Sequence, residues 1–307
     1  MKKALLLILP LFLLLAAPAR AHEIVAVLDS DRPHYQQVLQ GFSSALLAGP
    51  SPARGVKAIT PSTLTTVTVN NPEQAATAIR ARRPDLILAL GSDALKAATL
   101  VDDIPVIYLL TPDAMITAAN RARITGIDLR IPPQLQIEAL RRHLPAVKRL
   151  GVVYDPGRSA QLIAQAKSAV ANTSLQLVAA TAATTREALQ QIIALADRID
   201  AYWMIPDLTV LTPATLEALF LQSLQRRIPV VTFADKYLES GAAVSITFDL
   251  DGMGRQAGEM ASGILAGTPV GKMSPRPVDR VTVKFNDRII ARMGLTVSRP
   301  TTRGGQP

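Results

Sequence analysis

Cysteine is missing from the 307-residue sequence. A disulfide framework is therefore excluded, and so is a lipid anchor on a cysteine behind an export leader. Histidine occurs three times, as His22, His34 and His143, too far apart along the chain to form a metal-ligand pattern. The sequence has neither a phosphate-binding glycine loop nor a dinucleotide fingerprint, and Gly41-Phe-Ser-Ser-Ala45 lacks the second glycine of a nucleophile elbow. These absences point away from an enzyme and from any bound metal or cofactor. Aromatic residues are only 4% of the chain, and no basic stripe is interleaved with them. The arginine pairs at 82–83, 141–142 and 226–227 are scattered at expected helix ends, which argues against nucleic acid as a partner.

A membrane-spanning run is also missing. Residues 4–17 are almost wholly Leu, Ile, Phe and Ala, but the run contains Pro10 and falls short of the ~20 apolar residues that a spanning helix requires. Lys2 and Lys3 precede it and Ala19-Arg20-Ala21 follows it, the layout of an export signal cleaved after Ala21. The remaining chain, residues 22–307, is then expected free in the periplasm, as a monomer. Without Lys2, Lys3 and Arg20 the 33 basic residues become 30 against 24 acidic ones, a net +6 that fits a soluble, mildly basic surface. That length exceeds one typical domain, and 49% hydrophobic residues suffice for two cores.

What the chain does contain is an internal repeat. Glu23-Ile-Val-Ala-Val-Leu28 ends in Asp29 and runs through Ser30-Asp31-Arg32-Pro33 into an amphipathic stretch at 34–47. Arg149-Leu-Gly-Val-Val-Tyr154 ends in Asp155 and runs through Pro156-Gly157-Arg158-Ser159 into a stretch at 160–170. Short strands at 64–69 and 175–179 correspond, as do helices at 72–82, with Pro72 in its first turn, and at 184–198, capped by Thr184 or Thr185. Near-continuous apolar runs follow at 85–90 and 200–205, then at 104–109 and 228–233. Such runs between helical segments are what parallel strands covered on both faces require. The order β-α-β-α-β-α-β occurs twice, and right-handed crossovers turn it into two doubly wound parallel sheets. The tail reads as a strand at 243–248, a helix capped by Asp249 or Asp251 and stopped by Gly267 and Pro269, a strand at 281–285 and a short helix at 287–293. Residues 300–307 are polar and expected to be disordered.

In doubly wound sheets a ligand gathers outside the carboxyl ends of the strands. The segments there are Asp29-Ser30-Asp31, Gly91-Ser92-Asp93, Thr111-Pro112-Asp113, Tyr154-Asp155-Pro156, Pro206-Asp207-Leu208-Thr209 and Phe233-Ala234-Asp235-Lys236-Tyr237. Ser92 and Asp93 are expected to open a helix whose first amides, at Gly91 to Ala94, hold a ligand carboxylate or other anion, unless Asp93 satisfies them itself. Tyr35, Tyr154 and Tyr237 supply apolar walls with a polar tip, whereas Trp203, inside a strand, suits core packing. Asp155, Asp207 and Asp235 are placed to receive an ammonium, and Lys236 to pair with one of them or with a ligand acid.

Several segments read together resemble a known family: Pro33-His34-Tyr35 with Gly41-Phe42, the run from Leu144 through Lys148-Arg149-Leu150-Gly151 to Pro156, Arg227-Ile-Pro-Val-Val-Thr-Phe233, and Gly254-Arg-Gln-Ala-Gly-Glu-Met260. In this order they resemble the ABC transporter substrate-binding proteins that include the tryptophan- and tyrosine-binding periplasmic proteins. The resemblance implies a type I periplasmic binding fold, two α/β lobes joined by a three-crossing hinge. One lobe is then 22–126 plus 250–278 and the other 127–249 plus 279–299, with the first crossing near Thr125-Gly126-Ile127 and the second near Asp249. It implies capture of a small, amino-acid-like or other small organic ligand by lobe closure, and delivery to an ABC permease in the inner membrane. A periplasmic sensor that presents its closed form to a signalling receptor or histidine kinase is the alternative. Ligand contacts are expected from Asp29, Ser30, Tyr35, Gly91, Ser92, Asp93, Thr111, Tyr154, Asp155, Asp207, Asp235 and Lys236. The chain departs from the aromatic-amino-acid binders at Gln36, at Asp155 within the Tyr-x-Pro turn, at Leu208 after Asp207, and at Thr111-Pro112-Asp113.

Overall fold

The computed structural model of the chain describes residues 21–48, 62–112, 117 and 120–299. The export signal expected at 1–21, apart from Ala21, lies outside these residues, as do Asp113 of the Thr111-Pro112-Asp113 turn and the tail at 300–307.

The first half runs β1 (His22–Leu28), α1 (Pro33–Ala48), β2 (Ser62–Thr68), α2 (Pro72–Arg82), β3 (Leu86–Leu90), α3 (Ser92–Thr99), β4 (Val106–Leu109) and β5 (Ile124–Asp128). The second runs α4 (Pro133–His143), β6 (Arg149–Tyr154), α5 (Pro156–Val170), β7 (Gln176–Thr181), α6 (Thr185–Leu195), β8 (Ala201–Trp203), α7 (Pro213–Arg226), β9 (Val230–Thr232), α8 (Lys236–Glu239) and β10 (Val244–Phe248). Then come α9 (Leu250–Leu265), β11 (Arg276–Pro277), β12 (Val281–Phe285) and α10 (Asp287–Met293). Local chemistry sets many of these bounds. Asn71 accepts from the amides of Glu73 and Gln74 ahead of Pro72, Thr184 from Glu187, Asp249 from Gly252 and Asn286 from Ile289, so each helix starts where a side-chain oxygen replaces a missing turn. Thr184 is thus the cap of α6, and Asp249 that of α9.

Among the described residues the strands form two six-stranded sheets, ordered β11-β5-β4-β3-β1-β2 and β12-β10-β9-β8-β6-β7. The two orders are the same pattern read twice. All pairings are parallel except β10 with β12, where Phe248 faces Val281 and Val244 faces Phe285. Each sheet has a core on both faces. The first packs Ile24, Leu88 and Leu109 against α1 and α9, and Val25, Ile87 and Tyr108 against α2 and α3. The second packs Leu150, Trp203 and Ile246 against α4, α5 and α10, and Val153, Tyr202 and Val230 against α6 and α7. Sheets covered on both sides bury their strands completely, which is why β3 is apolar throughout.

Thr125, Gly126 and Ile127, expected at a crossing, lie inside β5, and the chain leaves the first sheet after Asp128. Gly126 has a packing role in this strand. A Cβ on Gly126 would sit 2.4 Å from the Tyr108 carbonyl oxygen and 2.5 Å from its ring, so the strand passes Tyr108 only without a side chain there.

Candidate ligand-binding cleft

The chain passes between the sheets three times: through residues 129–132 from β5 to α4, through Asp249 from β10 to α9, and through residues 278–280 from β11 to β12. Each passage joins one carboxyl edge to the other. β5 ends at the carboxyl edge of the first sheet, and α4, which feeds the parallel strand β6, starts at the carboxyl edge of the second. β10 ends at that second edge, and α9 packs against α1 and leads to β11, parallel to β5, so it starts at the first. Pro277 ends beside Asp128, and Val281 begins beside Phe248. A residue spans at most about 3.6 Å, so passages this short keep the two carboxyl edges near each other where the chain crosses.

In sheets of this order the crevice lies where neighbouring strands send their connections in opposite directions, between β1 and β3 and between β6 and β8. On the first lobe this point holds Asp29, Ser30, Gly91, Ser92 and Asp93. Asp29 Oδ1 accepts the main-chain N–H of Ala94 at 2.6 Å. Gly91 has φ +107°, and a Cβ there would meet the Asp29 carboxylate at 2.3 Å, so only glycine lets that acid reach the start of α3. Asp93 turns away and pairs with Lys96 at 2.8 Å. The hydroxyls of Ser30 and Ser92 have no protein partner among the described residues. Tyr35, at the start of α1, is 8% exposed, with its ring 4.2 Å from that of His34. Burial, and then the charge of Asp29, push its phenol above the ordinary range, and its hydroxyl too has no protein partner among the described residues. Thr111 is buried, its hydroxyl donating to the carbonyl of Leu109 at 3.2 Å.

On the second lobe the same point holds Tyr154, Asp155 and Asp207. Asp207 is 1% exposed, and its carboxylate is fully engaged. Oδ2 accepts the N–H of Asp155 at 2.9 Å and the hydroxyl of Ser159 at 2.6 Å, and Oδ1 accepts the N–H of Thr209 at 3.1 Å. Asp155 caps α5 through Gly157 N–H at 2.8 Å and takes the Thr209 hydroxyl at 2.7 Å; that hydroxyl first, then the amide, hold its carboxyl below the ordinary range. The tight turn leaves Leu208 71% exposed at the strand tip. Tyr154 is half-buried, with no protein partner for its hydroxyl among the described residues.

Asp235 and Lys236 are not part of this group. Asp235 reaches back along the sheet, where Ser245 near the start of β10 donates to it at 2.6 Å and Lys284 of β12 pairs with it at 2.6 Å. Burial works to raise its pKa, but the bonds from Lys284 and Ser245 outweigh it and hold the carboxyl low. Lys236 lies 4.9 Å over the Tyr237 ring. The pairing lysine is therefore Lys284, distant in sequence and invisible to a local reading. Ser159 and Thr209 complete the Asp207 clasp; Thr209 belongs to the strand-tip segment at 206–209, whereas Ser159, in the first turn of α5, lies beyond the strand tips.

A cavity of about 20 Å³ between β8 and α6 and α7, and a polar groove of about 360 Å³ between α4 and α5, include none of the expected contact residues. No group of three or more His, Cys, Asp or Glu suited to a metal occurs among the described residues, and no described helix is long and apolar enough to cross a membrane.

Comparison with known proteins agrees with this architecture. A tyrosine-binding protein of Clostridioides difficile (strain R20291) is 21% identical over 214 residues, 67% of this chain and 61% of that protein, so the match spans less than two thirds of the relative's length. The ligand-free, open structure of a substrate binding protein with adhesive properties from Clostridium difficile superposes with a TM-score of 0.64 at 21% identity, covering 92% of this chain and 97% of the other. A XylFII–LytSN complex matches with a TM-score of 0.53 at 14% identity, over 87% and 99% of the respective chains. The family model of the ABC transporter substrate binding proteins matches residues 30–301, and the chain belongs to that family.

Proposed function

We propose that the chain is the periplasmic ligand-capturing component of an ABC importer, taking one small organic molecule, amino-acid-like in size, between the carboxyl edges of its two sheets and handing it to an inner-membrane permease. The observation that carries this reading is the set of three passages, each tying a carboxyl edge to a carboxyl edge, in a family whose members bind small substrates. Contacts made by both lobes exist only when the lobes close, so the ligand draws the population toward the closed form, which the permease recognises. No chemical step on the ligand is required.

Ser30, Tyr35, Gly91, Ser92, Asp93 and Thr111 form the first-lobe side of this site. Tyr154 and Asp155 form the second, with Leu208 as an apolar contact beside them. Asp29 and Asp207 shape the two tips. The amides of Ser92 and Asp93, left over once Asp29 has taken that of Ala94, suit a ligand carboxylate. The relative named for tyrosine makes L-tyrosine the first compound to test.

A thermal-shift screen of residues 22–307 against amino acids, nucleosides, sugars and small organic acids tests the reading. A ligand that binds only the folded chain raises its melting temperature, by an amount that grows with concentration. No shift with any class, in protein shown to be folded, would defeat it.

A further inference from the structure

Two buried glutamines, one in each lobe, hold the ends of two of the three passages. Gln136 of α4 is 7% exposed. Its Nε2 donates to the carbonyl of Ile131 at 3.0 Å, and its Oε1 accepts the indole N–H of Trp203, on β8, at 3.0 Å. Gln256 of α9 is 8% exposed, and its Nε2 donates to the carbonyl of Pro277 at 2.9 Å. The first amide ties the end of the first passage to the interior of the second lobe. The other ties the start of the third passage to the first lobe.

We propose that Gln136 and Gln256 are positioning residues for lobe movement, confining the bend to Leu129-Arg130 in the first passage and to Asp279-Arg280 in the third. This inference rests on the capture reading above. Asp128 is fixed to the first lobe, because it pairs with Pro277 in the sheet and accepts the Tyr108 hydroxyl at 3.0 Å. Ile131 is fixed at its carbonyl by Gln136, while its side chain packs in the first core with Leu129. Beyond it Pro132, at φ −53° and ψ 135°, and Pro133 remove backbone freedom. Leu129 and Arg130 lie between the two fixed points, and a bend there shifts the side chains of Leu129 and Ile131 against the first core. In the third passage Val278, 2% exposed, is seated in the first core, and Asp279 and Arg280 are exposed. Buried side-chain amides suit this task because an apolar residue of the same size would fill the space without fixing a carbonyl's direction.

Trp203 is the only tryptophan in the chain, so its emission reads the Gln136 bridge directly. The absence of cysteine allows spin labels at Gln37→Cys on α1 and Gln161→Cys on α5, both exposed positions, to report the distance between lobes. In the unliganded chain Gln136→Met is expected to shift or broaden the interlobe distance distribution and move the Trp203 emission. Gln256→Met is expected to change the distribution while leaving the emission alone. The apparent affinity for L-tyrosine, or for whichever compound of the screen binds, should change by roughly tenfold with the cleft residues intact. Should Gln136→Met fail to fold, Trp203→Phe tests the same bridge from the sheet side. Distributions for both methionine variants that superimpose on the unsubstituted protein would overturn the proposal. A wild-type distribution that no compound alters counts against ligand capture instead, and leaves the unliganded comparison to judge the two glutamines.

Discussion

The carboxylate of Asp207 accepts the main-chain N–H of Asp155 at 2.9 Å, so the acid that follows β8 closes the turn that follows β6. The first lobe uses the same device in the opposite sense: Asp29, after β1, accepts from Ala94 in the helix that follows β3. In both lobes the two strands are neighbours in the sheet, and one carboxylate fixes the width of the crevice between their tips.

Removing the second clasp should destabilise the protein. Asp207→Ala leaves the N–H groups of Asp155 and Thr209 and the hydroxyl of Ser159 without their acceptor. Hydrogen bonds to charged groups contribute about 1.5–3 kcal/mol each, and relaxation recovers part of that, so a loss of roughly 3 kcal/mol is expected by urea denaturation. Asp207→Asn, which keeps the shape and one acceptor oxygen, should lose less. A change below about 1 kcal/mol in the alanine variant would show that the turn is held by other contacts.

The Asp235–Lys284 pair predicts a pH dependence with a defined sign. The folded carboxyl titrates below its unfolded value of about 3.9. The pair's contribution is therefore present above that value and lost as the pH falls through the lower, folded one. In Lys284→Met the Ser245 hydroxyl alone offsets burial, and the Asp235 pKa should move upward. The stability difference between wild type and Lys284→Met should be largest near neutral pH and close as the pH drops below about 4. Urea titrations across that range measure it, and a gap independent of pH would rule the pair out as its source.

Close packing of α1 on α9 supplies a third test. A Cβ on Gly254 would lie 2.0 Å from the carbonyl oxygen of Val38, and one on Gly41 would lie 2.0 Å from that of Asp251. The opposing atoms are backbone, so the helices must separate to admit a methyl group. Gly254→Ala should cost about 1–3 kcal/mol in melting or urea experiments. It should also disturb Tyr35, which α1 carries. A neutral Gly254→Ala would mean that the pair separates freely.

Much of this architecture is legible in the residues. The bounds of β6, α2 and α10 follow from apolar runs, Pro72 and the flanking polar residues, because strand burial and helix capping are local. The elements that escape are those whose cause is distant. β5 hides behind Gly126, whose role is to admit the Tyr108 ring, and β11 is two residues long and contains a proline. The reversed direction of β12 is set by where the third passage delivers the chain. The site divides along the same line. That acids and hydroxyls gather at the strand tips is written in the pattern, but what each one bonds is not. Lys236 follows Asp235 directly, yet the partner is Lys284, placed beside it by the β10–β12 register.

Two tyrosines of the proposed site, Tyr35 and Tyr154, test ligand binding. The Tyr35 hydroxyl has no protein partner among the described residues, so Tyr35→Phe keeps the packing of a ring that is 8% exposed and should leave the unliganded melting temperature unchanged. If that hydroxyl meets the ligand, affinity falls by up to about tenfold, the value of one hydrogen bond. Tyr154 is half-buried against the second core, so Tyr154→Ala should lower both stability and affinity, the latter by roughly 2 kcal/mol if the ring forms a wall of the closed site. Calorimetric titration with the compound giving the largest thermal shift measures both effects. Unaltered affinity in Tyr35→Phe together with unaltered affinity in Tyr154→Ala would place the ligand away from the β1–β3 and β6–β8 crevices.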